Sequence, residues 1–311
     1  ADLMKWWKNE IKTMRKMKVK AEEKELDVPA KFKNKVAAWD VTINCVGPKP
    51  ARLILTEPVN ATPGSLPIIV VLHSAMSDWH VASNLSDACT YAKFTPDGAI
   101  CIDVNALGVE NCQEKDYYAP LFKKGGEYYK YSSRVPETKD DYFFKWMFLR
   151  DLRALDYACK NPLWDRSHII VIGGSQGGAQ GAWLAGVDKR VTAAVMQVPA
   201  MWDLGGFNQT GRRATWPRYN VKKADYPQID DICPYFDGAF MLRHTDADFW
   251  VEVGLYDTTC PASNVIAGFN QIPGYKEIHP VQRAHGTRPK DMDQYPINKS
   301  RNDFIRKQMK K

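Results

Sequence analysis

Three side chains in the sequence have the types and the order that nucleophilic catalysis needs, and the first of them is a serine. Ser175 lies in the pattern Gly173-x-Ser175-x-Gly177, after an apolar run and before small residues at helical spacing. This pattern is typical of a sharp strand-to-helix turn that exposes a serine hydroxyl, since the crowded backbone tolerates only glycine-sized neighbours. The alternative is a glycine-rich connection with an incidental serine, so the pattern needs an acid and a histidine downstream.

Asp257 and His285 follow Ser175 in the chain and complete such a set. Asp257 comes directly after an apolar run at 249–254 that predicts a strand, and His285 lies in the loop after a second predicted strand at 277–281. A carboxylate in this position can hold an imidazole in one tautomer, and the imidazole can accept the serine proton. Capping of the following helix is the alternative role of the aspartate. The order serine, acid, histidine, each at a strand end, is that of the α/β-hydrolases.

The other histidines compete less well for the role of the base. His279 lies inside the last predicted strand, where a histidine usually faces the core or a neighbour, so we favour His285. His73 ends another predicted strand, and we expect it to shape the loop beside the serine. Structural roles are expected for His80 and His168, and a helical position for His244.

Apolar runs that alternate with stretches of helical capacity predict the scaffold for these side chains. Uninterrupted β-branched runs are typical of parallel strands covered by helices on both faces, and the two foremost strands fit a meander. The clearest helix is predicted at 141–161, where Pro162 ends it. We expect an α/β fold with one domain at 1–311 and a doubly wound, mostly parallel sheet. The predicted strands are 36–45, 52–56, 67–73, 99–104, 169–172, 191–197, 249–254 and 277–281.

Residues 1–35 are predicted to form a basic helical extension. Met4, Trp7, Ile11 and Met14 recur there at helical spacing, with lysines between them. Such a helix could lie on a membrane surface. We favour a helix docked on the body of the protein, because a group of glutamates soon follows it.

Two aromatic-rich stretches, 113–146 and 201–229, interrupt the alternation and are expected as insertions over the functional face. Aromatic side chains there could stack on sugar rings or bound an acyl pocket, and they could equally pack the loops onto the body. Both readings stay open at this point. The candidate substrate contacts are His73, Ser74, Trp79, Trp202 and Trp216.

The composition predicts a globular protein, and the hydrophobic pattern predicts no transmembrane helix. The 311 residues are 44% hydrophobic and 25% charged, as in ordinary globular proteins. No apolar run approaches the roughly 18 residues that predict a transmembrane helix, and Ala1 is followed by charges rather than by the apolar core of a signal peptide. We expect a secreted or periplasmic protein, with a cytoplasmic location as the alternative.

The net charge of +7 belongs to the two ends of the chain. Residues 1–35 and 301–311 hold the excess of lysine and arginine, and the body between them carries 27 basic against 29 acidic side chains. Because no aromatic-interleaved basic motif accompanies these ends, we expect no nucleic-acid partner.

The seven cysteines show no CxxC pair and no ligand spacing with histidine. We therefore expect no metal site and no cofactor. The odd count argues against a complete disulfide framework, although one or two bridges would fit an exported protein. Several cysteines lie in apolar runs, where buried free thiols are common.

Six segments carry a resemblance to a known family: Gly173-Gly174-Ser175-Gln176-Gly177-Gly178, Asp188-Lys189-Arg190-Val191, Tyr235-Phe236-Asp237, Val253-Gly254-Leu255-Tyr256-Asp257, Cys260-Pro261-Ala262-Ser263 and His285. Over roughly 67–286 the sequence resembles the acetylxylan esterase and cephalosporin-C deacetylase group, carbohydrate esterase family 7, as a divergent member. It departs from that group at Ser74, at 103–108 and at Gly286. The resemblance implies Ser175, Asp257 and His285 as the triad, with the amides of Gln176 and Ala75 as the oxyanion hole.

The resemblance also implies a function: a serine esterase that removes acetyl groups from an acylated carbohydrate such as acetylated xylan, through an acyl-enzyme. Two other enzymes are alternatives, an esterase for bulkier acyl groups of the feruloyl type and a peptidase of the prolyl-oligopeptidase type. A non-catalytic carbohydrate-binding protein on the same scaffold is the alternative from a different class. The oligomeric state is left open.

Overall fold

One sheet of nine strands forms the centre of the protein. We describe it from a computed structural model in residues 2–75, 83–206, 211, 214–218, 226–287, 289 and 293–310. The strands are β1 (Ala21–Glu25), β2 (Val36–Ile43), β3 (Ala51–Pro58), β4 (Leu66–Leu72), β5 (Ile100–Asn105), β6 (Trp164–Gly174), β7 (Ala193–Gln197), β8 (Asp248–Gly254) and β9 (Lys276–Val281). Their order across the sheet is β1-β2-β3-β5-β4-β6-β7-β8-β9.

The sheet changes character at β5. The strands β1, β2, β3 and β5 pair antiparallel, whereas β5, β4, β6, β7, β8 and β9 pair parallel. Ile68 of β4 lies opposite Ile100 of β5 on one side and Ile169 of β6 on the other. The chain therefore leaves β4 in one direction and returns on the other side, which makes a topological switch point where open α/β sheets bind ligands.

Helices cover both faces of the sheet, as predicted from the buried strands. In the described residues the helices are α1 (Asp2–Lys16), α2 (Leu85–Ala92), α3 (Lys115–Phe122), α4 (Phe143–Ala158), α5 (Gln176–Val187), α6 (Ile229–Ile232), α7 (Gly238–Met241), α8 (Ala262–Phe269) and α9 (Tyr295–Gln308). One face of the sheet packs against α1, α4, α5 and α8, and the opposite face packs against α2 and α9. Short 3-10 helices lie at Ala30–Phe32, Tyr131–Ser133, Cys233–Tyr235 and Leu242–His244.

The N-terminal extension is only partly helical, which corrects the prediction for 1–35. The strand β1 lies within it and pairs with β2, although all five of its residues are exposed. The sequence Ala-Glu-Glu-Lys-Glu has no apolar alternation, so pattern alone could not reveal this edge strand. Its charges are typical of an edge that avoids further pairing.

The amphipathic helix α1 is docked on the body, as favoured over the membrane-surface alternative. Trp7 and Met14 are fully buried. Trp7 Nε1 donates to the carbonyl of Tyr235 at 2.8 Å, and its ring meets Trp183 of α5 edge-on at 4.8 Å. The apolar face of α1 is thus buried against the body of the protein.

The aromatic stretch 113–146 mainly packs onto the body in the described structure. Tyr128, Tyr131, Tyr142 and Phe144 are buried, whereas Tyr117 is 41% exposed. The helix predicted most clearly in the chain, at 141–161, is somewhat shorter in the structure, where α4 occupies Phe143–Ala158.

Two further expectations concern cysteines and membranes. All seven cysteines fall within the described residues, and each is free. Among the helices that the described ranges contain, none combines the length and the apolar character needed to cross a bilayer.

Candidate active site

Ser175 sits on a strained turn between β6 and α5. Its backbone has φ 52° and ψ −115°, a conformation that costs a non-glycine residue about 1–3 kcal/mol. The turn is fixed from both sides, because Ser175 N donates to Gln197 O at 2.9 Å and Ser175 O accepts from Ala200 N at 2.8 Å. This geometry places the Ser175 hydroxyl at the carboxyl edge of the sheet, just before the regular turns of α5.

The glycines around Ser175 are required by close backbone contacts. A Cβ on Gly173 would lie 2.3 Å from Gly177 O, and a Cβ on Gly177 would lie 2.2 Å from Leu72 O. The start of α5 therefore rests directly on the ends of β6 and β4. The Gly-x-Ser-x-Gly spacing follows from this crowding, as the sequence predicted.

The structure brings Ser175, His285 and Asp257 together in one hydrogen-bonded chain. Ser175 Oγ lies 2.8 Å from His285 Nε2, and His285 Nδ1 lies 2.7 Å from Asp257 Oδ2. In the tautomer in which Nδ1 donates to the carboxylate, Nε2 is left to accept the serine proton. The Asp257 side chain is fully buried, while that of His285 is 25% exposed.

Asp257 uses its second oxygen to hold its own loop. Asp257 Oδ1 accepts from the backbone N–H groups of Thr259 and Cys260, each at 2.8 Å. The helix α8 begins at Ala262 with Pro261 at its N-cap position, so the aspartate is not a simple cap of that helix. The two backbone donors orient the carboxylate toward His285.

The loop that carries His285 is anchored by a buried ion pair that sequence reasoning missed. Arg283 Nη1 lies 2.8 Å from Oε1 of Glu252, a fully buried residue of β8, and Gln197 Nε2 donates to Glu252 Oε2 at 2.9 Å. Arg283 Nη2 also donates to the carbonyl of His285. An acid inside the apolar run at 249–254 was the available signal, because a buried carboxylate needs a partner.

The remaining histidines lie in other contacts. His279 stacks on Trp250 at 4.7 Å and lies 3.2 Å from Glu277 Oε2, so the favoured choice of His285 is the one that meets the serine. His168 pairs with Asp165 at 2.7 Å. The 3-10 helix Leu242–His244 contains His244, and His80 lies outside the described residues.

Gln176 directly follows Ser175 and Ala75 lies in the loop after β4, and the role of their amides as oxyanion donors stays a prediction. Gln176 is the first residue of α5, and its buried side chain accepts a hydrogen bond from the Tyr131 hydroxyl at 2.7 Å. Ala75 is exposed in the loop after β4. Ser74 Oγ in that loop donates to Gly174 O at 3.2 Å, so the loop lies against the strand end that carries Ser175.

His73 is engaged with a buried acid on the neighbouring strand. His73 Nε2 lies 2.5 Å from Oδ1 of Asp103, which is fully buried in β5. Burial opposes protonation of His73, but the charge of Asp103 and its hydrogen bond outweigh that effect and raise the pKa of the imidazole. This pair ties the start of the loop to β5, which fits the loop-shaping role, and direct substrate contact by His73 or Ser74 stays a prediction.

The prediction that Trp202 contacts the substrate is wrong. Trp202 has no exposed surface, and its indole N–H donates to Gly178 O at 3.3 Å. Its ring fills the space left by Gly238 and Gly268. A loop position does not reveal whether an aromatic ring points inward, so the sequence could not exclude Trp202.

The other two predicted tryptophan contacts stay predictions. Trp216 is half-buried, packs edge-on against Phe144 at 5.7 Å, and donates its backbone N–H to Thr259 O at 2.9 Å. It therefore lies beside the loop of Asp257. Trp79 falls outside the described residues.

A buried thiol borders the triad. Atoms of Asp257, Cys260 and His285 that can bind metals lie within 4.8 Å of one another. Burial and the charge of Asp257 raise the pKa of the Cys260 thiol, and a protonated thiol is a poor ligand. The carboxylate and imidazole already bond to each other, so the arrangement suits proton transfer better than metal binding.

The sheet order and the Ser175–His285–Asp257 chain define the class as an α/β-hydrolase. The profile of the acetyl xylan esterase family (AXE1) matches residues 1–295. The chain belongs to this family.

Individual relatives agree with that placement. An acetyl esterase, Axe7A from Xylanibacter ruminicola, is 32% identical over 142 residues, which are 45% of this chain and 32% of the relative, so the chain spans about a third of that protein's length. The acetyl xylan esterase from Paenibacillus sp. R4 superimposes with a TM-score of 0.77 at 20% identity, covering 99% of this chain and 95% of the other. Acetyl xylan esterase 1 from Thermoanaerobacterium sp. JW/SL YS485 gives 0.73 at 19% identity, covering 99% and 93%. The two solved structures support the fold.

Proposed function

We propose that the protein is a serine carboxylesterase that removes acetyl groups from acylated carbohydrates such as acetylated xylan. The observation that carries this proposal is the hydrogen-bonded chain of Ser175, His285 and Asp257 at the topological switch point, in a member of the acetyl xylan esterase family. The names of the similar proteins supply acetyl and xylan as the substrate class.

The first half of the reaction is acyl transfer to the serine. His285 Nε2 takes the hydroxyl proton while Ser175 Oγ bonds to the ester carbonyl carbon, and the carbonyl oxygen becomes an oxyanion. Asp257 stabilises the imidazolium, and the N–H groups of Gln176 and Ala75 bind the oxyanion. The bond to the sugar oxygen then breaks, and that oxygen takes the proton from His285 and leaves as the alcohol.

The second half repeats these steps with water. His285 accepts a proton from water, the water oxygen attacks the acetyl carbonyl, and the Ser175 ester bond breaks as the serine regains its proton. Acetic acid is released and gives its remaining proton to the solvent to become acetate.

Acetate release from acetylated xylo-oligosaccharides tests the proposal. We expect Ser175→Ala to reduce turnover by about a million-fold, since removing a triad nucleophile has that effect. Ser167→Ala is the matched control, because Ser167 is an exposed serine of β6 whose hydroxyl donates to Asp165 O at 3.4 Å. Feruloyl esters and peptide amides tested beside the acetates separate the two other enzyme classes. Acetate release by Ser175→Ala at the wild-type rate contradicts the proposal.

A further inference from the structure

A cavity of about 310 Å³ lies between the loop before β3, the turn after β5 and the first turns of α4. Its walls combine four aromatic rings with charged groups. Six of the lining residues are Lys49, Glu127, Tyr128, Phe143, Trp146 and Arg150.

Arg150 brings a buried cation without a counter-ion to this cavity. Its side chain is 2% exposed, its Nη2 donates to Ala106 O at 2.5 Å, and its Nε has no hydrogen-bond partner. Within the described part of the chain, no carboxylate lies within 4.0 Å of this guanidinium. Burial lowers the pKa of Arg150, which reflects the cost of an unpaired buried charge.

The other charged groups of the cavity already have partners. Lys49 Nζ pairs with Glu127 Oε2 at 3.0 Å, and Arg134 donates to the backbone carbonyls of Glu127 and Tyr129. Asp141 accepts from the backbone N–H of Thr138 at 2.9 Å. Within the described residues, Arg134 and Arg150 both donate to backbone carbonyls and neither pairs with a carboxylate. Arg134 is exposed to water whereas Arg150 is buried, so an incoming anion would stabilise the charge of Arg150 more.

The shape and chemistry of the walls favour a carboxylate on a ring. A guanidinium binds a carboxylate through two parallel hydrogen bonds, and it has donors left for them. Tyr128, Phe143 and Trp146 supply aromatic surface, which packs against the apolar faces of sugar rings. A bare inorganic anion would leave that surface without a contact.

The cavity lies within reach of the serine. It borders the carboxyl end of β5, and only β4 separates β5 from β6, so the two strand ends are about 10 Å apart. Tyr128 in the cavity wall meets the ring of Tyr131 at 6.4 Å, and the Tyr131 hydroxyl donates to Gln176 beside Ser175. One short saccharide can span both places.

We propose that this cavity is a subsite for a uronic acid unit, with the Arg150 guanidinium binding its carboxylate. The further statement that this unit belongs to the same acetylated saccharide rests on the proposed esterase function. The preferred substrate is then an acidic acetylated oligosaccharide rather than a neutral one.

Calorimetric titration of the Ser175→Ala protein with D-glucuronate and D-glucose tests the subsite itself. The two sugars differ in the carboxylate that Arg150 is proposed to bind. We expect glucuronate to bind at least about 10-fold more tightly than glucose, as befits a charge-assisted pair. Equal affinities, or no binding of glucuronate, would overturn the proposal.

Variants locate the binding. Arg150→Met should reduce glucuronate affinity about 10-fold or more, Arg150→Lys by less, and Trp146→Ala should weaken it without removing the preference over glucose. Arg153→Lys is the matched control, because Arg153 is a buried arginine of the same helix that donates to Asn44 and Met17 instead. Should Arg150→Met fail to fold, the Arg150→Lys and Trp146→Ala titrations still decide. Unchanged affinity in both overturns the proposal.

A comparison of substrates shows whether the uronic acid bound in the cavity belongs to the saccharide that is hydrolysed. We expect wild-type kcat/KM to be about 10-fold higher for acetylated xylo-oligosaccharides that carry a uronic acid than for neutral ones, and Arg150→Lys to reduce that ratio. Failure of all hydrolysis would contradict the esterase function while the glucuronate titration still reports on the cavity. Glucuronate binding with equal rates on the two substrates would place the subsite off the path of the reacting saccharide and overturn its assignment to the same substrate.

Discussion

The two sides of the sheet's carboxyl edge are built in different ways. On the side of β6 to β9, Ser175, Asp257 and His285 each follow a strand end, and backbone donors or a buried ion pair fix every one of them. On the side of β4 and β5, the surroundings are loops, aromatic rings and the buried charges of Asp103 and Arg150. The first side holds the candidate reacting groups in place through these contacts, and the second carries the cavity proposed above as a subsite.

The largest expected effect belongs to the triad side. Asp257→Asn should keep the fold, because an amide oxygen can still accept from Thr259 and Cys260. It should lower kcat by about 10,000-fold, since an amide no longer selects the productive imidazole tautomer. Steady-state hydrolysis of p-nitrophenyl acetate measures this. A loss below about 10-fold would show that Asp257 serves its loop rather than His285.

A buried carboxyl group between α4 and α5 should make the free energy of unfolding depend on pH. Burial raises the pKa of Asp151 to about 8, although Gln180 Nε2 donates to both of its oxygens at 2.9 Å. The folded protein therefore keeps the proton above the ordinary pKa of about 3.9. A protonated Asp151 can also donate to Gln180 Oε1, for which the described residues supply no other partner.

Because the folded-state pKa is the higher one, the stability that this proton provides is complete below about pH 4 and is lost as the pH rises toward 8. Asp151→Asn should remove that loss. Relative to the variant, the wild-type free energy of unfolding should fall by up to about 1.4 kcal/mol per pH unit between pH 5 and 8. Urea titrations at several pH values measure the difference. Parallel curves for the two proteins would contradict it.

The contact between α5 and β4 should tolerate no added methyl group. Gly177→Ala places a Cβ 2.2 Å from Leu72 O and should destabilise the protein by about 1–3 kcal/mol. Gly174→Ala is the matched control, because its Cβ would lie 3.5 Å from Ser74 Oγ and 3.8 Å from Gln197 O, which are ordinary contact distances. Thermal unfolding compares them. Equal midpoints would mean that the turn around Ser175 is looser than its contacts indicate.

The smallest effect should come from the hydrogen bond that joins the two sides. Tyr131→Phe removes the hydroxyl that holds the Gln176 side chain, and it should lower kcat by about 3- to 10-fold with little change in KM. Tyr118→Phe is the control, because that hydroxyl donates to Glu110 O at 2.7 Å rather than to Gln176. Similar kinetics for both variants would show that Tyr131 only packs the loop.

The same contrast explains how much the sequence could predict. The buried strands, the turn at Ser175 and the positions of Asp257 and His285 follow from short-range patterns, namely apolar runs and glycine spacing. The β1 strand, the Glu252–Arg283 pair and the inward position of Trp202 depend on contacts between distant segments. No local pattern encodes those contacts, so they required the structure.

Covalent labelling tests directly whether Ser175 is the nucleophile. A fluorophosphonate probe reacts with a serine activated by a neighbouring base, and peptide mass spectrometry identifies the residue that carries it. We predict one label per chain, on the peptide that contains Ser175, and no label in Ser175→Ala. A wild-type protein that stays unlabelled, or that carries the label on another residue, would contradict the assignment of Ser175 as the nucleophile.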